Sequence, residues 1–148
     1  MADAESPATG IAKLPLAAAL VAVGGLIDAI YLTIHHYNAE PVPCGAAFDC
    51  EMVLTSAYAE IYGIPLAAFG AAAYFVAFAL AVLAAFGDKR MWKLYGVVAT
   101  LMGGFSLWLI FLQAFRIGAF CQFCLISAAT SLTLFIIFVV SRFVGRRT

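Results

Sequence analysis

Four stretches of this chain, each about 20 residues long and almost wholly apolar, limit the fold more tightly than any other feature. They run over about Leu14–Ile34, Ile64–Phe86, Leu94–Phe115 and Phe120–Val140. A helix needs roughly 20 apolar residues to cross the hydrocarbon core of a bilayer. Soluble chains carry roughly a quarter charged residues, whereas here 11% are charged and 66% hydrophobic. A water-soluble domain of that composition would expose large apolar patches. The solvent for most of the sequence is therefore lipid. No basic stripe interleaved with aromatics supports nucleic-acid binding.

The connections give the order of packing. Gly87-Asp88-Lys89-Arg90 and Arg116-Ile117-Gly118-Ala119 are short turns, and helices joined by short turns lie antiparallel. The remaining connection, about His35 to Gly63, is long and carries Pro41, Pro43 and Gly45. The expected fold is an all-α membrane protein, a four-transmembrane-helix bundle forming one domain over residues 1–148. Lys13, Lys89, Arg90, Lys93, Arg142, Arg146 and Arg147 flank one end of the bundle, and only Arg116 flanks the other. Basic loops stay cytoplasmic, so both termini are expected in the cytoplasm and the long loop on the opposite face. A cleaved signal peptide has a shorter apolar core and a small-residue cleavage site. The first stretch is too long for one, contains Asp28 and ends in Tyr37-Asn38, so it is expected to remain as a span.

That topology puts all four cysteines on the non-cytoplasmic side, Cys44 and Cys50 in the long loop and Cys121 and Cys124 opening the fourth span. In bacteria that side is the oxidising periplasm, where disulfides persist. A Cys-x-x-Cys at a helix N-terminus stacks its two sulfurs on one face. Free backbone N–H groups and the helix dipole there favour a thiolate, the species that attacks disulfides. In the long loop, Asp49 is a candidate cap for a short amphipathic helix over Cys50 to about Ile61. Its apolar face would be Cys50, Val53, Leu54, Ala57 and Ile61. Such a helix would seat Cys50 inward over Cys121 and leave Cys44 towards solvent. The cysteine spacing alone leaves three chemistries open: redox exchange, two structural disulfides, or a four-thiolate metal site.

The ordered set Cys44 and Cys50, Ser56-Ala57-Tyr58, Gly63-Ile64-Pro65, Gly70, Tyr74 and Cys121-Gln122-Phe123-Cys124 resembles the vitamin K epoxide reductase family, in particular its bacterial branch. The likeness runs from about Gly25 to about Thr133. It implies a four-helix bundle around a quinone, either ubiquinone or menaquinone. It implies a membrane thiol:quinone oxidoreductase that reoxidises a thioredoxin-like (DsbA-like) periplasmic protein in disulfide-bond formation. Carried over residue by residue, Cys121 and Cys124 are the active-site pair with Cys124 beside the quinone, Cys44 and Cys50 are the shuttle pair, and Ser56 is the hydroxyl near the quinone head. A fused thioredoxin-like domain is not expected, so the resemblance implies a separate partner. Ile64-Pro65-Leu66-Ala67 lacks the Asn that some members carry at the start of the second span. Leu125-Ile126-Ser127-Ala128 likewise lacks the Tyr that follows the motif in vertebrate members. Both departures point to ordinary quinone reduction rather than epoxide reduction.

The quinone is expected inside the bundle half nearer the cysteines. Cys124, Ser127, Ala128 and Ser131 share one face of the fourth helix at helical spacing, and small or polar residues there equally suit helix packing. Phe69, Tyr74, Phe115 and Phe123 are aromatic candidates for the wall, with Gln113 a further polar one. Asp28 is an acid within a span, costly there and by default functional, either on a proton path or as a hydrogen-bonded structural acid. His35 and His36 read as polar ends of the first span.

Overall fold

A computed structural model describes residues 2–38, 44–45, 52–53, 56–57 and 60–147, the side chains of 2–12 and 144–147 excepted. Pro41, Pro43, Asp49, Cys50, Leu54 and Tyr58 lie outside the described residues. Four long helices carry the fold: α1 (Ala2–Tyr37), α2 (Leu66–Ala85), α3 (Lys89–Phe111) and α4 (Gln122–Arg147). Lys13–Tyr37, Leu66–Ala85, Lys89–Ile117 and Gln122–Phe143 are long and apolar enough to cross a membrane. The four expected spans are therefore present, with ends shifted by a few residues. Both α1 and α4 also run on as helix past the basic residues that flank their spans.

Helix packing follows the chain in a closed ring: α1 on α2, α2 on α3, α3 on α4 and α4 back on α1, with α1 and α2 in the most extensive contact. Small side chains make that contact possible. Ala18, Ala22, Gly25 and Ala29 form one stripe on α1, and Gly70, Tyr74, Ala77 and Ala81 form the facing stripe on α2. Apolar side chains gain little by leaving lipid for another helix, so close backbone approach and dispersion hold the pair. Gly25 marks the tightest point, since a Cβ there would lie 2.2 Å from the Tyr74 ring. At the basic end Trp92 stacks on Tyr95 at 4.4 Å, donates to Ser141 Oγ at 2.8 Å and leans on Phe138. Large apolar residues such as Leu20, Phe75, Leu83 and Ile136 point outward, as a lipid-facing surface requires.

The loop before α2 departs from expectation. Glu60–Ile61 is not the end of a helix from Cys50 but a short strand, β1, paired antiparallel with β2 (Ile64–Pro65). Tyr62 and Gly63 form the turn with φ of 54° and 82°, the left-handed pair that a two-residue hairpin needs. Among the described residues of the proposed loop helix Met52–Val53 is α-helical and Ala57 lies in a 3₁₀ turn, and Ala57 and Ile61 are exposed rather than on a buried face. Val53 does point inward. The second span accordingly starts at Leu66 rather than Ile64, with Pro65 at its N-cap.

The third span does not end as a regular helix. It continues through a π-helical stretch, Leu112–Ile117, closed by Gly118 at φ 76°. The Gly118 N–H donates to the Gln113 carbonyl at 2.9 Å, the wide bond of a π turn. This turn delivers the chain to Cys121 at the mouth of the bundle.

Candidate functional site

Cys121 is the N-cap of α4. Its carbonyl accepts the first helical bond, from Leu125 N–H at 2.9 Å, and its sulfur accepts the Cys124 N–H at 3.3 Å. The sulfur stands where a Ser or Asp oxygen usually caps a helix. Its own N–H donates to Gln113 Oε1 at 2.9 Å, so the π-helical stretch of the third span fixes the start of the fourth. Cys121 is fully buried and Cys124 half-buried, and both carry free thiols. A hydrogen bond from the Cys124 thiol holds the Cys121 sulfur below the usual thiol range. The backbone N–H groups of Cys124 and Phe123 act in the same direction, against the opposing effect of burial. On balance these contacts favour the thiolate form of Cys121.

Cys44 is disulfide-bonded. It is half-buried against a cluster of Leu32, Val53, Ala119 and Cys121, and so does not stand towards solvent as the sequence suggested. Its neighbour Gly45 donates its N–H to Gln122 Oε1 at 3.0 Å. A residue inside the Cys-x-x-Cys motif thus anchors the loop over that motif. The expected seat of Cys50 above Cys121 lies outside the described residues.

Beneath Cys124 a cavity of about 830 Å³ opens between the four helices. Cys124, Ser127, Ala128 and Ser131 line it from α4, as their spacing predicted, and Phe69, Gly70 and Tyr74 line it from α2. Ala29, Leu32, His35 and His36 close it on α1, Met102, Phe105, Ser106 and Leu109 on α3, and Gln113 on the π-helical stretch. Ser56 reaches it from the loop, its hydroxyl donating to the Val53 carbonyl at 2.7 Å. Its walls are mostly apolar, with polar groups at a few points, the make-up of a small-molecule site. Of the aromatic candidates, Phe69 and Tyr74 are lining residues. Phe115 instead faces outward, 5.0 Å from the Phe111 ring, and Phe123 packs 5.2 Å from Tyr31.

The deeper polar point is a hydroxyl cluster. Tyr74 donates to the Ser127 carbonyl at 2.6 Å, and the Ser127 and Ser131 hydroxyls each lie 2.9 Å from its oxygen. Since the Tyr74 proton is committed to the carbonyl, both serines donate to Tyr74. Asp28 lies within electrostatic reach of Tyr74, Cys121 and Cys124, yet its Oδ2 is buried without a partner, and it is not a lining residue. At the mouth His36 Nε2 meets Glu60 Oε1 at 2.9 Å, tying α1 to the hairpin, and both residues line the cavity. Sequence reasoning favoured polar helix ends for the histidines over metal binding or proton transfer, and gave Glu60 no part. It ranked Gln113 low as well, although a Gln inside an apolar span is itself the signal.

Four membrane-crossing helices, a free Cys-x-x-Cys at a helix start and an apolar cavity under its second sulfur define a membrane thiol oxidoreductase with an internal small-molecule site. The model of the vitamin K epoxide reductase family matches residues 16–139, and the chain belongs to that family. Its members are quinone-reducing thiol oxidoreductases.

Proposed function

We propose that this chain is a bacterial membrane thiol:quinone oxidoreductase that reoxidises a separate periplasmic thioredoxin-like protein and so sustains disulfide-bond formation. The observation that carries this reading is the position of Cys124, bonded through its N–H to the Cys121 sulfur and lining the cavity. In this reading Cys44 and Cys50 form the shuttle pair on the periplasmic face, with both termini cytoplasmic. The seven-to-one distribution of Lys and Arg supports that orientation.

Two electrons move through two exchanges and one reduction. The partner's two thiols reduce the loop disulfide and leave as a disulfide. The loop dithiol then reduces the Cys121–Cys124 disulfide, attacked at one sulfur while the other departs as thiolate. In the last step Cys121 and Cys124 rejoin as a disulfide, and their two electrons pass with two protons to a quinone, which becomes a quinol. A quinone head suits the mostly apolar cavity with its few polar points, Gln113, Ser56 and the Tyr74 cluster, and either ubiquinone or menaquinone meets that description. Cys124 exchanges electrons with the ring, Cys121 exchanges with the loop, and Phe69 and Tyr74 flank the bound head.

The test uses the purified protein with a reduced thioredoxin-like dithiol protein and a soluble quinone. Quinol should form with loss of two partner thiols per quinol, and Cys124→Ser should abolish it. Full turnover in Cys124→Ser would sink the relay. A protein with merely structural disulfides would lose thiols to quinone only slowly, and a four-thiolate metal protein would co-purify with its ion.

A further inference from the structure

The chain has no Asn at the start of α2, yet its cavity holds another side-chain amide, on the π-helical stretch. Gln113 is 3% exposed, and its Oε1 accepts the Cys121 N–H at 2.9 Å. A backbone N–H only donates, so the oxygen end of the amide must face Cys121, and the orientation of the group is settled by chemistry. Its NH2 group is thereby turned away from the cysteine. That nitrogen makes no hydrogen bond among the described residues. Nor is it sealed in: the one buried side-chain polar atom without a partner among the described residues is Asp28 Oδ2. Gln113 lines the cavity, so the open space its amide nitrogen meets is the cavity itself.

Most of the other polar groups of the cavity have committed their protons, the Ser106 hydroxyl being an exception among the described residues. Tyr74 donates to the Ser127 carbonyl, the Ser127 and Ser131 hydroxyls donate to Tyr74, and Ser56 donates to the Val53 carbonyl. A quinone carbonyl only accepts hydrogen bonds, and negative charge builds on its oxygen as electrons arrive. Of the wall groups with protons to spare, the Gln113 amide is the one bonded directly to the reacting cysteine pair.

We propose that Gln113 is the residue that binds and orients the quinone, its amide N–H donating to the carbonyl nearer Cys124 while its oxygen holds Cys121 in place. This rests on the quinone reductase reading above. One side chain then registers both reactants: the cysteine pair through its acceptor and the ring through its donor. The π turn contributes by presenting Gln113 across the mouth to a residue eight positions later.

Gln113→Glu separates the two duties at a pH high enough to ionise its buried carboxyl, because a carboxylate still accepts from the Cys121 N–H but offers no proton to a carbonyl, whereas the protonated acid does both. The KM for a soluble ubiquinone analogue should rise about tenfold, the worth of one lost hydrogen bond with an acceptor left facing an acceptor. Reduction of the Cys121–Cys124 disulfide by the thioredoxin-like protein, measured without quinone by thiol trapping, should fall less in Gln113→Glu, which keeps the bond to Cys121, than in Gln113→Met. Gln113→Met, which loses both bonds, should impair both readouts. An unchanged quinone KM in both variants would overturn the assignment. So would a Gln113→Glu whose thiol exchange falls while its quinone KM holds, since Gln113 would then only brace Cys121. If the wild-type protein exchanges thiols but reduces no quinone, it is the functional reading that fails, and this assignment falls with it.

Discussion

Adding one methyl group at Gly25 tests whether the α1–α2 seam and the cavity wall are one structure. In Gly25→Ala the new Cβ would lie 2.2, 2.5 and 2.6 Å from three atoms of the Tyr74 ring, against 3.4 Å or more for ordinary contact. The ring, or the whole of α2, must retreat by about 1 Å. Tyr74 is not free to do so, because its oxygen sits 2.6–2.9 Å from three partners on α4. Overpacking costs about 1–3 kcal/mol, and each strained or lost hydrogen bond about 0.5–1.5 kcal/mol. The gain in helix propensity from Gly to Ala returns about 1 kcal/mol. A net loss of about 2–3 kcal/mol follows, to be read from reversible unfolding in mixed micelles. The quinone KM should rise with it, since Tyr74 is a wall residue. In a Tyr74→Ala background the clash has no second party, so adding Gly25→Ala should cost nothing and gain slightly from propensity. A neutral Gly25→Ala in the wild-type background, or an equal loss in both, would refute the seam argument.

Gly96→Ala meets the Phe138 ring at 2.3 Å at the far end of the bundle, so it should lose comparable stability while its quinone KM stays at the wild-type value. The Cys121 thiol is held below its usual range, so in the reduced protein its alkylation by iodoacetamide should inflect below about 8.5. The rate should fall only as pH drops through that lowered value, and Cys124→Ala should move the inflection back up. In Asp28→Leu a buried oxygen without a partner is removed, which should stabilise the fold by about 1–3 kcal/mol; turnover that falls while stability rises identifies a functional acid, and unchanged turnover a structural one. His36 and Glu60 are exposed enough that their contact should contribute under about 1 kcal/mol in a double-mutant cycle.

The helices were legible because a membrane span is a matter of length and hydropathy, and both are written along the chain. The site was legible where it follows helical spacing. Cys124, Ser127 and Ser131 are three and four residues apart, and that spacing alone lines them up on the cavity. The hairpin at Glu60–Pro65 was not, since strands of two residues have no periodicity to read. Its turn also places Tyr62, a residue that rarely takes positive φ, beside Gly63. Cys44 was misjudged for a related reason: it packs against a cluster that includes Leu32, Ala119 and Cys121, from distant parts of the chain. Gln113 was visible as a polar residue in a span. Its bond to Cys121 depends on a π turn that composition does not encode.

The sulfur of Cys121 closes the end of α4 only while it is available as an acceptor. Oxidation to a disulfide removes the thiolate that its hydrogen bonds favour, and a disulfide sulfur is a weak acceptor. Each catalytic cycle would therefore loosen and retighten the first turn of α4. Amide hydrogen exchange at Cys124 would then serve as a clock for the reaction, slow in the dithiol form and faster in the disulfide form. The protein would carry a built-in reporter of its oxidation state, readable without substrate.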